Sequence, residues 1–446
     1  MKIFPNPGLT IEDATNLIAS GAMSYVDLVE GCLARIDEWE PKVHAWVVVD
    51  RKGTLNRARE LDQERSDWGD VGPLYGIPIG IKDIIDVKGL PTSAGVKLWG
   101  GGRPAEADAD LVEKLKSAGA IILGKTVTTP YAWIDPPPTR NPWNFERTPG
   151  GSSSGSAAAV ATGMCLGAFG TQTGGSIIRP AAFCGVSGFK PSRWKISTQG
   201  IVPFARTLDT PGPIASSVEG LRRLYDATAS YRGETPSDPG RSAGRDGHGL
   251  RFGRLRGLFE SLADQEMTRA LEGFSMHVEA AGAVVVEVAL PPEFDHVRRS
   301  HRVIMAAEAA VGHRERLAEL PQDYPPRIAE LIREGIPILA SDYIKSHDSI
   351  MPNGTYFSGI SENIDAFLMP AAIGEAPDRS TTGDPIFNSC WTYLDFPAVT
   401  LPIGLSKAGL PLAIQLVHPC SDAVLLDVAV WCEQVLRNEP QRAPRD

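Results

Sequence analysis

Two serines in one segment carry the strongest chemical signal in the chain. Residues 150–191 read GGSSSGSAAAVATGMCLGAFGTQTGGSIIRPAAFCGVSGFKP, and in this stretch Ser152 and Ser176 each follow two glycines, 24 positions apart. A glycine pair lets the backbone turn sharply or come very near a ligand. A hydroxyl on such a turn is open to a substrate, and the neighbouring N–H groups can hold a developing oxyanion. That combination suits nucleophilic acyl transfer. The same composition also suits a flexible turn or a phosphate cradle, although a nucleotide P-loop is excluded because no Gly-Lys-Ser/Thr ending follows the glycines.

A serine hydroxyl is a weak nucleophile until a base takes its proton. Histidine is the usual base, but none of the eight histidines lies between His44 and His248. Lys82 is the alternative: it sits inside Ile77–Ile85 (IPIGIKDII), a run that is otherwise apolar except for Asp83. Burial disfavours the ammonium form, so a lysine in such a strand can act as a neutral base, and Ser–Lys pairs are a known variant of the serine triad. A plainer reading has Lys82 snorkelling from the strand end or paired with Asp83.

Positioning these groups takes strands and helices in alternation. Residues 1–65 read as a helical segment with one short strand at 45–49, and capping-box spacings occur at Thr10/Asp13 and Ser24/Asp27. After Ser24, Leu28, Cys32, Leu33 and Ile36 recur at helical spacing and predict one buried stripe. From Gly72 onward the pattern predicts short strands at 77–85, 120–123, 398–403 and 412–417. Helices are expected at 110–118, 156–164, 264–281, 302–318 and 422–436. The expected fold is α/β, with a central mixed sheet of many strands and helices on both faces. Residues 66–446 form a single catalytic domain in this reading, with an exposed Gly/Pro-rich loop at 231–249. The N-terminal segment could pack on that domain or on a second subunit, which leaves a homodimer possible.

Composition narrows the setting. The chain of 446 residues carries a net charge of −10 and no long basic run, which argues against a nucleic-acid partner. Its N-terminus has no apolar signal region, and no stretch approaches the roughly 18 apolar residues of a spanning helix. The six cysteines lack CxxC pairing and the histidines lack metal-ligand spacing. A cytoplasmic protein with buried thiols, no membrane association, no metal and no cofactor is expected.

The motifs together are similar to those of the amidase signature family. The lysine strand GIPIGIKDIIDVKGLPTSAG, the run GGSSSGSAAAVA and the run QTGGSIIRPAAFCGVSGFKP carry the resemblance. Residues 208–219 (LDTPGPIASSVE), 365–377 (DAFLMPAAIGEAP) and 396–417 (FPAVTLPIGLSKAGLPLAIQLV) extend it in order along nearly the whole chain. The resemblance implies Ser176 as nucleophile, Ser152 as a bridging serine after a cis peptide bond, and Lys82 as base. It also implies an oxyanion hole from the N–H groups of Thr173, Gly174, Gly175 and Ser176.

Two departures from the family pattern bear on the substrate. Gln172 stands where relatives have Asp, and Arg179 falls one residue later than usual, a form that resembles the malonamidase branch. In that branch the arginine holds a substrate carboxylate, a task suited to bidentate guanidinium geometry; the competing role for Arg179 is to cap a backbone carbonyl or bind Asp83. The other departure is Pro130-Tyr131, and by resemblance Tyr131, Ile134, Ile178 and Trp391 line the pocket. The leading expectation is an amidase cleaving a small amide, carboxylate-bearing or aryl. The alternatives are a glutamyl-tRNA amidotransferase A-type subunit and a non-catalytic binding protein of the same fold.

Overall fold

The computed structural model describes residues 8–64, 72–97, 99–230, 249–291, 294–419 and 421–437. In chain order the strands are β1 (Trp46–Val49), β2 (Pro78–Lys82), β3 (Ile121–Thr126), β4 (Gly167–Gln172), β5 (Ser187–Lys190) and β6 (Thr210–Ala215). They continue with β7 (Arg251–Leu255), β8 (Val284–Val288), β9 (Ala366–Pro370), β10 (Ala398–Leu405) and β11 (Pro411–Val417). All join one sheet in the order β1-β3-β2-β4-β6-β5-β10-β11-β9-β7-β8. The sheet is mixed: β2 runs parallel to both β3 and β4, β7 runs parallel to β8 and β9, and the remaining pairings are antiparallel.

Every residue of β2, β4, β5, β6, β9 and β11 is buried. A strand can lose both faces to solvent only if helices cover both sides of the sheet. The Ser154–Ala161 helix does this against the strands around β4, and all eight of its residues are buried. Its small side chains are required: a Cβ on Gly155 would stand 2.2 Å from Ala45 O and 2.3 Å from Val127 N.

The N-terminal helices pack on this body. Both capping boxes form, at Thr10/Asp13 and Ser24/Asp27, and the Tyr25–Val43 helix buries Leu28, Cys32, Leu33 and Ile36 as its spacing predicts. Glu12 accepts the Ser217 hydroxyl, and Asp62 accepts the N–H groups of Tyr25 and Val26.

Several boundaries differ from the sequence reading. The helix expected at 156–164 runs over Ser154–Ala161, and the one expected at 302–318 begins eight residues earlier, spanning Phe294–Glu319. The short strand expected at 120–123 continues to Thr126. Strand β6 (TPGPIA) holds two prolines inside the sheet. They are tolerated because β5 pairs only with Ile214 and Ala215, leaving no β5 ladder beside Pro211 and Pro213. The loop expected at 231–249 lies, but for Gly249, outside the described residues. Among the described residues no helix is long and apolar enough to cross a membrane.

Candidate active site

Lys82 ends β2, between two parallel neighbours, so its side chain leaves the sheet in the protein interior, fully buried. Its Nζ lies 2.7 Å from Ser152 Oγ and 2.8 Å from Thr171 Oγ1. Burial brings its pKa down to about 7, with the more distant charge of Asp209 working the other way. Asp83 does not pair with Lys82. It forms a fully buried ion pair with Lys125 at 2.9 Å and accepts the Ser93 N–H at 3.1 Å. The adjacent carboxylate is thereby occupied, and Lys82 keeps only neutral hydrogen-bond partners.

The two serine turns are stitched together. The Gly151–Ser152 peptide bond is cis. One residue on, Ser153 N donates to Ser176 O at 3.3 Å. Ser153 Oγ also meets the backbone of Thr171, donating to its carbonyl and accepting its N–H, both at 3.3 Å. Ser176 lies in the turn between β4 and the Ile178–Cys184 helix and is 9% exposed.

The turn at 173–176 is held from several sides. Thr173 Oγ1 donates to Asp209 at 2.5 Å, and Asp209 also accepts the N–H groups of Phe204 and Ala205. Burial raises the Asp209 pKa to about 6 against these bonds. The Thr173 carbonyl meets His301 Nε2 at 2.8 Å, and the Gly174 carbonyl accepts from Thr392 Oγ1 at 3.0 Å. Gly175 admits no side chain, since a Cβ there would stand 2.5 Å from Asn388 Oδ1 and 3.0 Å from Arg179 Nη1.

Two cavities meet this turn. One, of about 420 Å³, is walled by Thr171, Thr173, Ile201, Phe204, Arg206 and Asp209, among others. The other, of about 780 Å³, is walled by residues that include Trp133, Gly174, His301, Arg302, Ile386 and Ser389. Thr171 and Thr173 border the first cavity and Gly174 the second, whereas Lys82, Ser152 and Ser176 are not among either set of wall residues.

The structure brings Lys82, Ser152, Ser176 and the 173–176 turn together, with Arg179 against the turn and the other candidates in the surrounding core. Arg179 is buried, its Nε donating to Thr382 O at 2.7 Å and its Nη2 to Gly151 O at 2.8 Å. These bonds hold two backbone carbonyls, while Nη1, beside Gly175, has no hydrogen-bond partner; Arg179 is not among the wall residues of either cavity. Trp391 is fully buried among Phe259, Phe294, Phe357 and Phe396, a core position. Tyr131 turns its hydroxyl to Asp323 at 2.6 Å and Arg316 at 3.1 Å and stacks on Tyr324. Ile178 is fully buried, and Ile134 is half-buried with its carbonyl bound by Arg327. Their neighbours Ala132 and Trp133 supply cavity wall in their place. Sequence reasoning missed Thr171, Asp209, His301 and Thr392. Only Asp209 carried a local signal, as a lone acid just before the Pro-Gly-Pro run at 211–213.

The profile of the amidase family matches residues 27–426. The chain belongs to the amidase family. Across 470 residues it is 32% identical to the A-type component of the glutamyl-tRNA(Gln) amidotransferase from Chloroflexus aggregans, covering 94% of this chain and 95% of that protein. The corresponding protein from Roseiflexus castenholzii is 41% identical over 300 residues, 64% of this chain and 60% of that one. Among solved structures, the native peptide amidase from Stenotrophomonas maltophilia superposes with a TM-score of 0.85 at 28% identity, covering 98% of each chain. No group of three or more His, Cys, Asp or Glu side chains among the described residues could hold a metal ion.

Proposed function

We propose that this amidase cleaves the C–N bond of a carboxamide through an acyl-enzyme on Ser176. The contact that carries the reading is Lys82 Nζ to Ser152 Oγ at 2.7 Å, made by a lysine whose pKa burial brings to about 7. Neutral Lys82 takes the Ser152 proton as Ser152 takes that of Ser176, and Ser176 Oγ attacks the carbonyl carbon. The oxygen that gains charge is met by N–H groups of Thr173, Gly174, Gly175 and Ser176. The relay then reverses: Lys82 returns a proton through Ser152 to the leaving nitrogen. Water repeats the cycle on the ester and frees the acid.

The fate of the released ammonia or amine separates two readings. The sequence ranks a free-standing amidase on a small amide first, and the superposition on a peptide amidase supports it. The curated relatives support the other, an amidotransferase A-type subunit, at 31–33% identity over more than nine tenths of this chain. Their name favours that second reading. The argument from net charge against nucleic acid loses force with it, because one member of a complex can leave RNA contact to its partners. A cytoplasmic location belongs to either reading, and a homodimer to the first. Ammonia release by the purified chain from glutamine, simple amides and peptide amides is the test. Turnover of simple or peptide amides without any partner supports the free-standing enzyme, whereas activity confined to glutamine supports the amidotransferase. No Ser176-dependent turnover or acylation of any kind would remove both.

A further inference from the structure

Gln172 reads from sequence as a lost acid, but its contacts describe a directed relay. Its Oε1 accepts the N–H groups of Ile177 at 3.0 Å and Ile178 at 3.1 Å. Backbone N–H groups only donate, so the amide oxygen must face them and Nε2 must face the other way. There it donates to Thr392 Oγ1 at 3.2 Å. With that lone pair occupied, the hydroxyl proton of Thr392 goes to Gly174 O at 3.0 Å, an atom that can only accept. Gln172 and Thr392 are both fully buried, so water does not compete for these bonds.

We propose that Gln172 and Thr392 are positioning residues for the 173–176 turn, fixing the Gly174 carbonyl away from the reacting atoms so that the N–H groups of the turn face them. This rests on the reading of that turn as the oxyanion site. In a trans peptide the carbonyl and N–H point in opposite directions. Holding Gly174 O outward through Thr392 therefore aims the Gly175 N–H. His301 does the same one peptide earlier, where its Nε2 carries the proton because Thr173 O can only accept. An acid at position 172 could accept the same two N–H groups but would have no proton for Thr392. The Thr392 hydroxyl would then turn to the carboxylate, since a charge-assisted bond is about twice as strong as a neutral one, and Gly174 O would lose its donor. The amide is what gives the relay its direction.

The test uses the whole chain and the rate at which a fluorophosphonate probe labels Ser176, which needs no knowledge of the natural substrate. Thr392→Val keeps shape and removes the hydroxyl, Thr392→Ser keeps the hydroxyl, and Gln172→Glu keeps the acceptor and removes the donor. Thr392→Val and Gln172→Glu are each expected to lower the maximal labelling rate about 10- to 100-fold, less than or equal to the loss of one oxyanion donor. The half-saturating probe concentration should move less than about 3-fold, as expected for an interaction made only in the transition state. Thr392→Ser should keep the rate, and the double variant Gln172→Glu/Thr392→Val should be no slower than Gln172→Glu alone, since both act through one bond. A wild-type rate in Thr392→Val overturns the relay, as does equal loss in Thr392→Ser or multiplication of the two defects. If Gln172→Glu does not fold, the Val and Ser variants still decide. Failure of the unsubstituted protein to label at Ser176 would instead overturn the reading of the site, and the relay with it.

Discussion

Lys82 and Ser152 meet 2.7 Å apart in a space that holds no ion-pair partner for the lysine among the described residues, because Asp83 is bound to Lys125. A buried amine without a counter-ion gives up its proton readily. The activity of the site therefore follows from where a neighbouring carboxylate is kept.

The first prediction is a pH profile. With Lys82 brought to about 7, the neutral base is present above that pH and is lost as pH falls through it. The rate kcat/KM should rise tenfold per unit below about pH 7 and level off above it. Lys82→Ala should fall by several orders of magnitude, as proton transfer fails in both half-reactions. A flat profile from pH 5.5 to 8.5 would remove Lys82 as the base.

The two serines should separate in a labelling experiment. Ser176→Ala is expected to abolish turnover and probe labelling with an unchanged melting temperature, as removal of the covalent route requires. Ser152→Ala should retain a small residual rate, because a water can stand in for the bridging hydroxyl. Labelling of any residue other than Ser176 would contradict the assignment.

Arg179 should behave as a structural tie. Its bonds to Gly151 O and Thr382 O hold the backbone beside Ser152. Arg179→Ala leaves these buried carbonyls without donors, at about 1–3 kcal/mol each. The expected result is a lower melting temperature and equal losses of kcat/KM on acid-bearing and neutral amides. A loss confined to acid-bearing amides would restore the substrate-binding role that the sequence suggested.

The Asp83–Lys125 pair should show in stability. Removing one partner, as in Lys125→Met, leaves a buried carboxylate alone and should cost about 3–5 kcal/mol in denaturant unfolding. With Lys125 gone, the Asp83 carboxylate that the pair keeps from Lys82 is left as a buried charge next to it, so the midpoint of the pH profile should move above 7. An unmoved midpoint would mean that the pairing of Asp83 does not set the state of Lys82.

Much of the site was legible in sequence because its signals are local. A lysine at the end of an apolar run and serines after glycine pairs stand out from their neighbours. The fold class followed from the alternation of elements, yet β4 and β6 escaped notice: in GAFGTQ and TPGPIA glycine, alanine and proline outnumber the β-branched residues that mark strands. His301 and Thr392 join the site from 128 and 218 positions away along the chain, and nothing near either residue announces it. Arg179 and Trp391 were read for the opposite reason. Residue type and spacing proposed a contact with substrate, but burial and the partners that consume a side chain appear only in three dimensions.

The placement of Lys82 and Thr171 on adjoining strands, 89 residues apart in sequence, sets when this catalyst can come into being. The parallel pairing of β2 with β4 is non-local, and such pairings close late because the intervening chain must first be ordered. A ribosome-bound fragment that has released β2 and not β4 holds an amine with no pocket to neutralise it and no nucleophile to serve. Recovery of activity during refolding should accordingly trail the return of helical signal, and nicked or truncated chains lacking β4 should show no fractional catalysis.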